Sequence, residues 1–147
     1  MEIKGAAIRP LKTEDLNAVI EIDKKVLGRE RSQFWQDKLE LLAKKSPLPS
    51  LVAEADGKVV GFILAEASGW EFGIPDTVGM IHTFGVEPSY QHKGIGSLMM
   101  REMISYLKKV GVESIYEPVN WRDFDMLKFL SKFGFGRGDL IYLELKL

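Results

Sequence analysis

The segment Gln91-His92-Lys93-Gly94-Ile95-Gly96-Ser97 joins a strand-like run to the clearest helical pattern of the chain. The run before it, Val78–Val86, predicts a β-strand, and the pattern after it repeats apolar residues at intervals of three and four from Ile95 to Val110. Glycines allow neighbouring backbone N–H groups to converge, and the start of a helix adds partial positive charge to that of Lys93. The segment therefore suits a pyrophosphate, although a plain strand-to-helix turn with a solvated lysine fits the same spacing.

Two familiar phosphate loops do not match this segment. A dinucleotide fingerprint needs a third glycine where this chain has Met99, and a Walker loop needs its lysine after the glycine, whereas Lys93 precedes Gly94. The later stretch Gly134–Gly138 begins at the C-terminal end of a predicted helix, which is the unfavourable end for an anion. We interpret that stretch as a turn.

The segments on either side predict an alternation of strands and helices. Asp56-Gly57 separates two strand-like runs and is a strong hairpin signal. The order β-α-α-β-β-β-α-β-α-β predicts an α/β or α+β fold with helices on both faces of a sheet. The other predicted strands are Ala6–Pro10, Leu51–Ala55, Lys58–Ala67, Ser114–Val119 and Leu140–Leu145. The other predicted helices are Thr13–Leu27 with Thr13 as N-cap, Ser32–Lys45 and Asp123–Phe133.

Length and composition exclude several classes of protein. The 147 residues predict a single domain, residues 1–147, because domains usually span about 100–200 residues. A net charge of −1 argues against a strongly basic nucleic-acid binder, and the absence of cysteine excludes disulfides and thiolate metal sites. The chain shows no signal peptide and no apolar run of membrane-spanning length, so we expect a cytoplasmic protein without membrane or nucleic-acid partners.

A known family shares the pattern Val86-x-Pro88-x-Tyr90-Gln91-x-x-Gly94-x-Gly96-x-x-Met99. It resembles the acyl-CoA loop of the GNAT superfamily of N-acetyltransferases, and Gly134-Phe135 resembles the end of that family's closing helix. The order of elements is similar over nearly the whole chain. The resemblance implies a mixed, mostly antiparallel sheet of about six strands with about four helices on its two faces.

The resemblance also implies acetyl-CoA as cosubstrate and no metal. The coenzyme pyrophosphate would lie on backbone N–H groups after Gln91, and the pantetheine arm would lie along Phe84 and Val86, with the Phe84 N–H polarising the thioester carbonyl. Asn120 stands where the family often has an asparagine, although Asp123 aligns equally well. The pyrophosphate-binding residues are then His92, Lys93, Gly94, Ile95, Gly96 and Ser97.

The implied reaction is attack of a primary amine on the thioester, which needs a base because an alkyl ammonium has a pKa near ~10. His82 is the first candidate, since some family members have a catalytic histidine at the matching position. Simple alternation places His82 on an apolar face, where it would be a core residue, unless an expected bulge near Gly85 reorients it. Glu117 is the second candidate base, and Glu66 and Glu71 rank third.

The position of the family's usual general acid, a tyrosine, is occupied by Leu130. The acid is therefore absent, supplied elsewhere by Tyr116 or Tyr142, or unnecessary. This departure keeps a second hypothesis open, a non-catalytic acyl-CoA-binding sensor or regulatory domain. The acceptor is a small molecule, a protein N-terminus or a lysine. A homodimer is compatible with the sequence.

Overall fold

Five β-strands form one sheet, in the order β1-β2-β3-β4-β5, in the computed structural model, which describes residues 5–44, 50–68 and 77–147. Strands β1 to β4 pair antiparallel with their neighbours, and β4 pairs parallel to β5. This mixed, mostly antiparallel sheet confirms the predicted fold class, with five strands instead of about six. The strands are β1 Ala7–Pro10, β2 Ser50–Ala55, β3 Lys58–Ser68, β4 Val78–Val86 and β5 Ser114–Tyr116.

Helices cover both faces of the sheet, as predicted. Alternation along β3 separates the two faces: Phe62 and Leu64 pack with Trp35 on one side, whereas Ile63 and Ala65 pack with Met99 and other residues on the opposite side. The helices are α1 Leu16–Leu27 and α2 Ser32–Lys44 on the first face, and α3 Ile95–Lys109 and α4 Phe124–Ser131 on the second. None of the helices in the described ranges is long and apolar enough to cross a membrane.

The turn between β2 and β3 is the one that the sequence predicts. Asp56 and Gly57 both have positive φ angles, 52° and 74°, as a two-residue hairpin turn requires. The predicted end of α1 at Leu27 is confirmed, and Gly28 follows it with a left-handed φ of 82°. The predicted N-cap Thr13 is wrong, because a 3₁₀ turn over Thr13–Asp15 precedes α1 and the Asp15 carboxylate accepts the Lys12 N–H.

A buried charge ties α1 to α2. The Trp35 indole N–H donates to Asp23 over 2.9 Å, and the Arg31 guanidinium donates to both oxygens of the same carboxylate. Burial alone would raise the pKa of Asp23, but these hydrogen bonds hold it below its usual value. Arg31 also lies over the Phe34 ring at 4.3 Å, so this arginine is occupied within the fold.

The C-terminal third departs most from the predicted elements. β5 ends at Tyr116 instead of Val119, because Pro118 has no N–H with which to continue a ladder. α4 is shorter than the predicted Asp123–Phe133. The predicted strand Leu140–Leu145 is wrong for this structure, since residues 140–147 pair with no described strand.

Gly85 on β4 leaves room for the Phe62 ring, so Gly85→Ala should destabilise the protein by about 1–3 kcal/mol. An added Cβ would lie 2.8 Å from Phe62 Cζ, and that ring is held by edge contact with Trp35. Gly61→Ala is the comparison. Its Cβ would meet the end of the flexible Met99 side chain at 2.7 Å and the Gly85 carbonyl oxygen at 3.2 Å, so its closest contact can be relieved by side-chain rotation and its loss should be smaller. Urea unfolding measures both, and equal losses would contradict this account of the packing.

Candidate functional site

Strands β4 and β5 separate after a short stretch of pairing. Their register joins Val78 to Ser114, Gly79 to Ile115 and Met80 to Tyr116, and no further pair is formed in the described part of the chain. Beyond Met80, β4 continues through Val86 with no described strand on that side. The result is an open backbone edge over residues 81–86, which leads along the chain toward the start of α3.

A β-bulge on β4 determines the direction of His82. Thr83 pairs with Leu64 and Ile81 pairs with Ala65, so His82 is the extra residue on its strand. The bulge lies at His82 rather than near Gly85. It exposes the His82 side chain, and the expectation of an apolar, core-facing His82 is therefore wrong for this structure.

The exposed imidazole is held by Glu66. His82 Nε2 lies 2.9 Å from Glu66 Oε2, and both side chains are about three-tenths exposed. An ionised carboxylate only accepts hydrogen bonds, so Nε2 carries the proton in this contact. In the neutral ring, Nδ1 is then left as the acceptor.

Glu117 follows β5 directly and stands at the point where the two strands separate. Its Oε2 is buried and has no hydrogen-bond partner within residues 5–44, 50–68 and 77–147. Burial raises the pKa of Glu117 from 4.5 to about 7. A carboxyl group with this pKa exchanges protons readily near neutral pH, which is the property expected of a general base.

The loop between β4 and α3 is tied to the end of its strand. The Gln91 side-chain amide donates to the Val86 carbonyl over 3.1 Å, and the Tyr90 hydroxyl donates to Asp56 over 2.7 Å. His92 and Gly94 have left-handed φ angles of 60° and 87°. His92 and Lys93 are exposed, so this loop presents the Lys93 ammonium group to solvent.

The N-terminus of α3 suits an anion. Gly94 is its N-cap and makes no side-chain capping bond, and the first-turn amides of a helix have no intrahelical acceptor. The helix dipole adds partial positive charge at this end. Among the remaining predicted loop residues, Ile95 is buried, whereas Gly96 and Ser97 are partly exposed.

Gly96 has a packing role that sequence reasoning missed. A Cβ on Gly96 would lie 3.1 Å from Phe84 Cζ and 3.6 Å from the Phe129 ring. Those two rings stack with centroids 5.5 Å apart, and Phe129 belongs to α4. Gly96 therefore lets α3 approach β4 and α4 closely, so a side chain there would disturb packing as well as any ligand.

The remaining predicted residues have varied environments. Asn120 is exposed, and its side-chain oxygen accepts the Arg122 N–H while Asp123 caps α4. Leu130 is buried in the core. Glu71 lies outside the described residues. Among the described residues, no cluster of three or more histidine and acidic side chains could hold a metal ion.

Comparison with known proteins gives one family. The model of the acetyltransferase (GNAT) family matches residues 16–135. An uncharacterized N-acetyltransferase of Methanocaldococcus jannaschii is 26% identical over 95% of this chain and 64% of its own length. A mycothiol acetyltransferase of Thermomonospora curvata is 28% identical over 62% of this chain and 29% of its own. The chain thus spans less than two thirds of these relatives.

Solved structures with the same fold extend over nearly the whole chain. A transcriptional regulator from Bacillus halodurans has a TM-score of 0.82 at 20% identity, covering 97% of this chain and 99% of its own. An aminoglycoside N-acetyltransferase in complex with CoA has a TM-score of 0.81 at 17% identity, covering 96% and 94%. At these identities the likeness concerns the fold alone.

Burial of the Glu117 carboxyl group should make the stability of the protein depend on pH. Between pH 4.5 and about 7 the folded protein holds a proton on Glu117 that the unfolded chain has lost, so this group's contribution to stability falls as the pH rises through that window. Glu117→Gln has no charge to desolvate. The free energy of unfolding of Glu117→Gln, relative to that of the wild type, should therefore rise between pH 5 and pH 8 by at most about 3 kcal/mol. Urea unfolding at both pH values measures this, and a gap independent of pH would contradict burial of the carboxylate.

Proposed function

The chain belongs to the acetyltransferase (GNAT) family, and we propose that it transfers an acetyl group from acetyl-CoA to a primary amine. The observation that carries the proposal is the separation of β4 from β5 beyond Met80, with Glu117 at its base and the N-terminus of α3 beyond its far end. We also propose that residues 1–147 form one catalytic domain and that the protein acts in the cytoplasm. The acceptor is a small molecule, a protein N-terminus or a lysine.

The chain offers suitable groups for each part of the coenzyme. The backbone N–H groups of the loop and of the first turn of α3, from His92 to Ser97, suit the pyrophosphate, and Lys93 adds charge beside it. The unpaired edge of β4 suits the pantetheine arm, whose amides can pair as a short strand would. Phe84 and Val86 lie on that edge, and the Phe84 N–H would polarise the thioester carbonyl. Asn120 would contact the coenzyme beyond β5.

The proposed reaction begins with loss of a proton from the ammonium group of the acceptor. Glu117 takes this proton, because its pKa of about 7 leaves a useful fraction ionised at neutral pH. The amine nitrogen then forms a bond to the thioester carbon, the carbon–sulfur bond breaks, and coenzyme A leaves as a thiolate. The second proton that the nitrogen loses on becoming an amide passes to solvent water. His82 is the alternative base, acting through Nδ1 while Glu66 holds Nε2.

The leaving group needs no strong acid from this chain. Leu130 is buried and apolar, so it cannot donate a proton. An ordinary thiol has a pKa near ~8.5, which makes its thiolate a stable leaving group compared with an alkoxide. We propose that the thiolate leaves without a dedicated donor, and that neither Tyr116 nor Tyr142 is required.

Leu130 also favours the second candidate function, an acyl-CoA-binding sensor without catalysis. Both candidates predict that coenzyme A binds, so calorimetry alone does not separate them. The two functions are separated by measuring thiol release from acetyl-CoA in the presence of a panel of amines, amino acids and peptides. Binding without thiol release for any acceptor would favour the sensor.

Replacement of the proposed base should change the pH profile. Glu117→Gln should lower kcat/KM by about 10²–10⁴-fold and remove the rise in rate near pH 7. His82→Asn should leave that rise in place, and both variants should bind coenzyme A as the wild type does. If the increase in rate near pH 7 is lost in His82→Asn and kept in Glu117→Gln, then His82 is the base.

Two glycines with similar left-handed backbone conformations allow a test of pyrophosphate binding at the loop between β4 and α3. Gly94→Ala and Gly111→Ala both place a side chain at a left-handed φ, 87° and 93°, so each should cost about 1–2 kcal/mol of stability. They lie at opposite ends of α3. Only Gly94→Ala should weaken coenzyme A binding, measured by calorimetry. Equal affinities would contradict a pyrophosphate site at this loop.

A further inference from the structure

Residues 140–147 form an apolar segment that pairs with no strand in the described part of the chain. Residues 140–147 read Leu-Ile-Tyr-Leu-Glu-Leu-Lys-Leu, and Ile141, Leu143, Leu145 and Leu147 alternate on one side of an extended chain. Leu143 is 89% exposed and Leu145 is 83% exposed. This pattern is typical of a strand with one buried face, and such a strand is not stable alone in water.

The same chain carries a sheet edge that lacks a strand. β5 is the outermost strand of the five, and in the described residues it pairs with β4 alone. Its outer N–H and C=O groups are therefore open to a further strand. Ile115 of β5 packs toward the core on the face that carries α3. Trp121 and Phe124, shortly after β5, are each 75% exposed.

The segment begins close to β5 in space but does not pair with it. The backbone passes β5 at Gly138, where a Cβ would lie only 2.7 Å from the Tyr116 ring. Beyond Asp139 the chain remains exposed. One chain thus holds both halves of a missing strand pair, a donor segment and an acceptor edge.

We propose that two copies of this chain exchange residues 140–147, so that each segment becomes the sixth strand of the other copy's sheet, beside β5. A second copy is the favoured occupant because the donor and the acceptor are both present on every chain, so that a two-fold arrangement satisfies both at once. Ile141, Leu143 and Leu145 then cover the face on which Ile115 lies. The short Gly136-Arg137-Gly138 stretch serves as the hinge.

Oligomeric state gives the first test. Sedimentation equilibrium of the wild type should give twice the chain mass of 16.6 kDa. Leu143→Lys with Leu145→Lys should raise the dimer dissociation constant by about 100-fold or more, since two leucines leave a buried face. Val26→Lys with Leu27→Lys is the matched control. It adds the same charge at two half-exposed apolar residues of α1, and it should remain dimeric.

Disulfide trapping identifies the strand that fills the edge. The natural chain has no cysteine, so introduced thiols are the only ones present. A Ser114→Cys chain and a Tyr142→Cys chain, refolded together and oxidised, should form a mixed disulfide dimer, and Glu144→Cys tests the neighbouring register. A monomeric wild type would overturn the exchange. So would a single chain carrying both Ser114→Cys and Tyr142→Cys that forms only an intramolecular disulfide. Because neither test measures activity or coenzyme binding, its outcome is separate from that of the proposed acetyl transfer.

Discussion

The parting of β4 from β5 is the constraint on which the candidate site depends. Three residues of each strand pair, and then Pro118, which has no N–H to donate, lies two positions beyond the end of β5. If the ladder continued, the edge of β4 over residues 81–86 would be closed to a ligand. Glu117 stands directly before Pro118, so the same break leaves its carboxyl half-buried, with one oxygen that has no hydrogen-bond partner among the described residues.

Local signals in the sequence predicted the elements that surround this break. The hairpin over Asp56-Gly57, the strand Val78–Val86 and the helix beginning at Ile95 are all determined by short-range patterns, and the structure confirms them. The bulge at His82 was not predictable in the same way. It is a mismatch between two strands that are distant in the chain, and alternation along one strand gives no sign of it. The burial that raises the pKa of Glu117 likewise depends on tertiary packing.

The C-terminal segment shows the other limit of sequence reasoning. Its alternation correctly marks residues that favour a strand, yet a strand forms only where a partner edge is available. The segment pairs with no strand that the structure describes. Most of the large exposed apolar side chains of the described residues lie between Trp121 and Leu147. Packing within one copy therefore leaves much of its exposed apolar surface in the last part of the sequence.

The central claim, that the open edge of β4 and the start of α3 hold an acyl-CoA, is tested most directly by amide hydrogen exchange. Adding coenzyme A should slow exchange in two segments, residues 81–86 of β4 and residues 92–97 of the loop and helix start, because both supply backbone donors to the ligand. Amides at the far end of α3, around Lys108, should be unchanged and serve as the internal reference. Binding of coenzyme A with no protection in either segment would contradict the account.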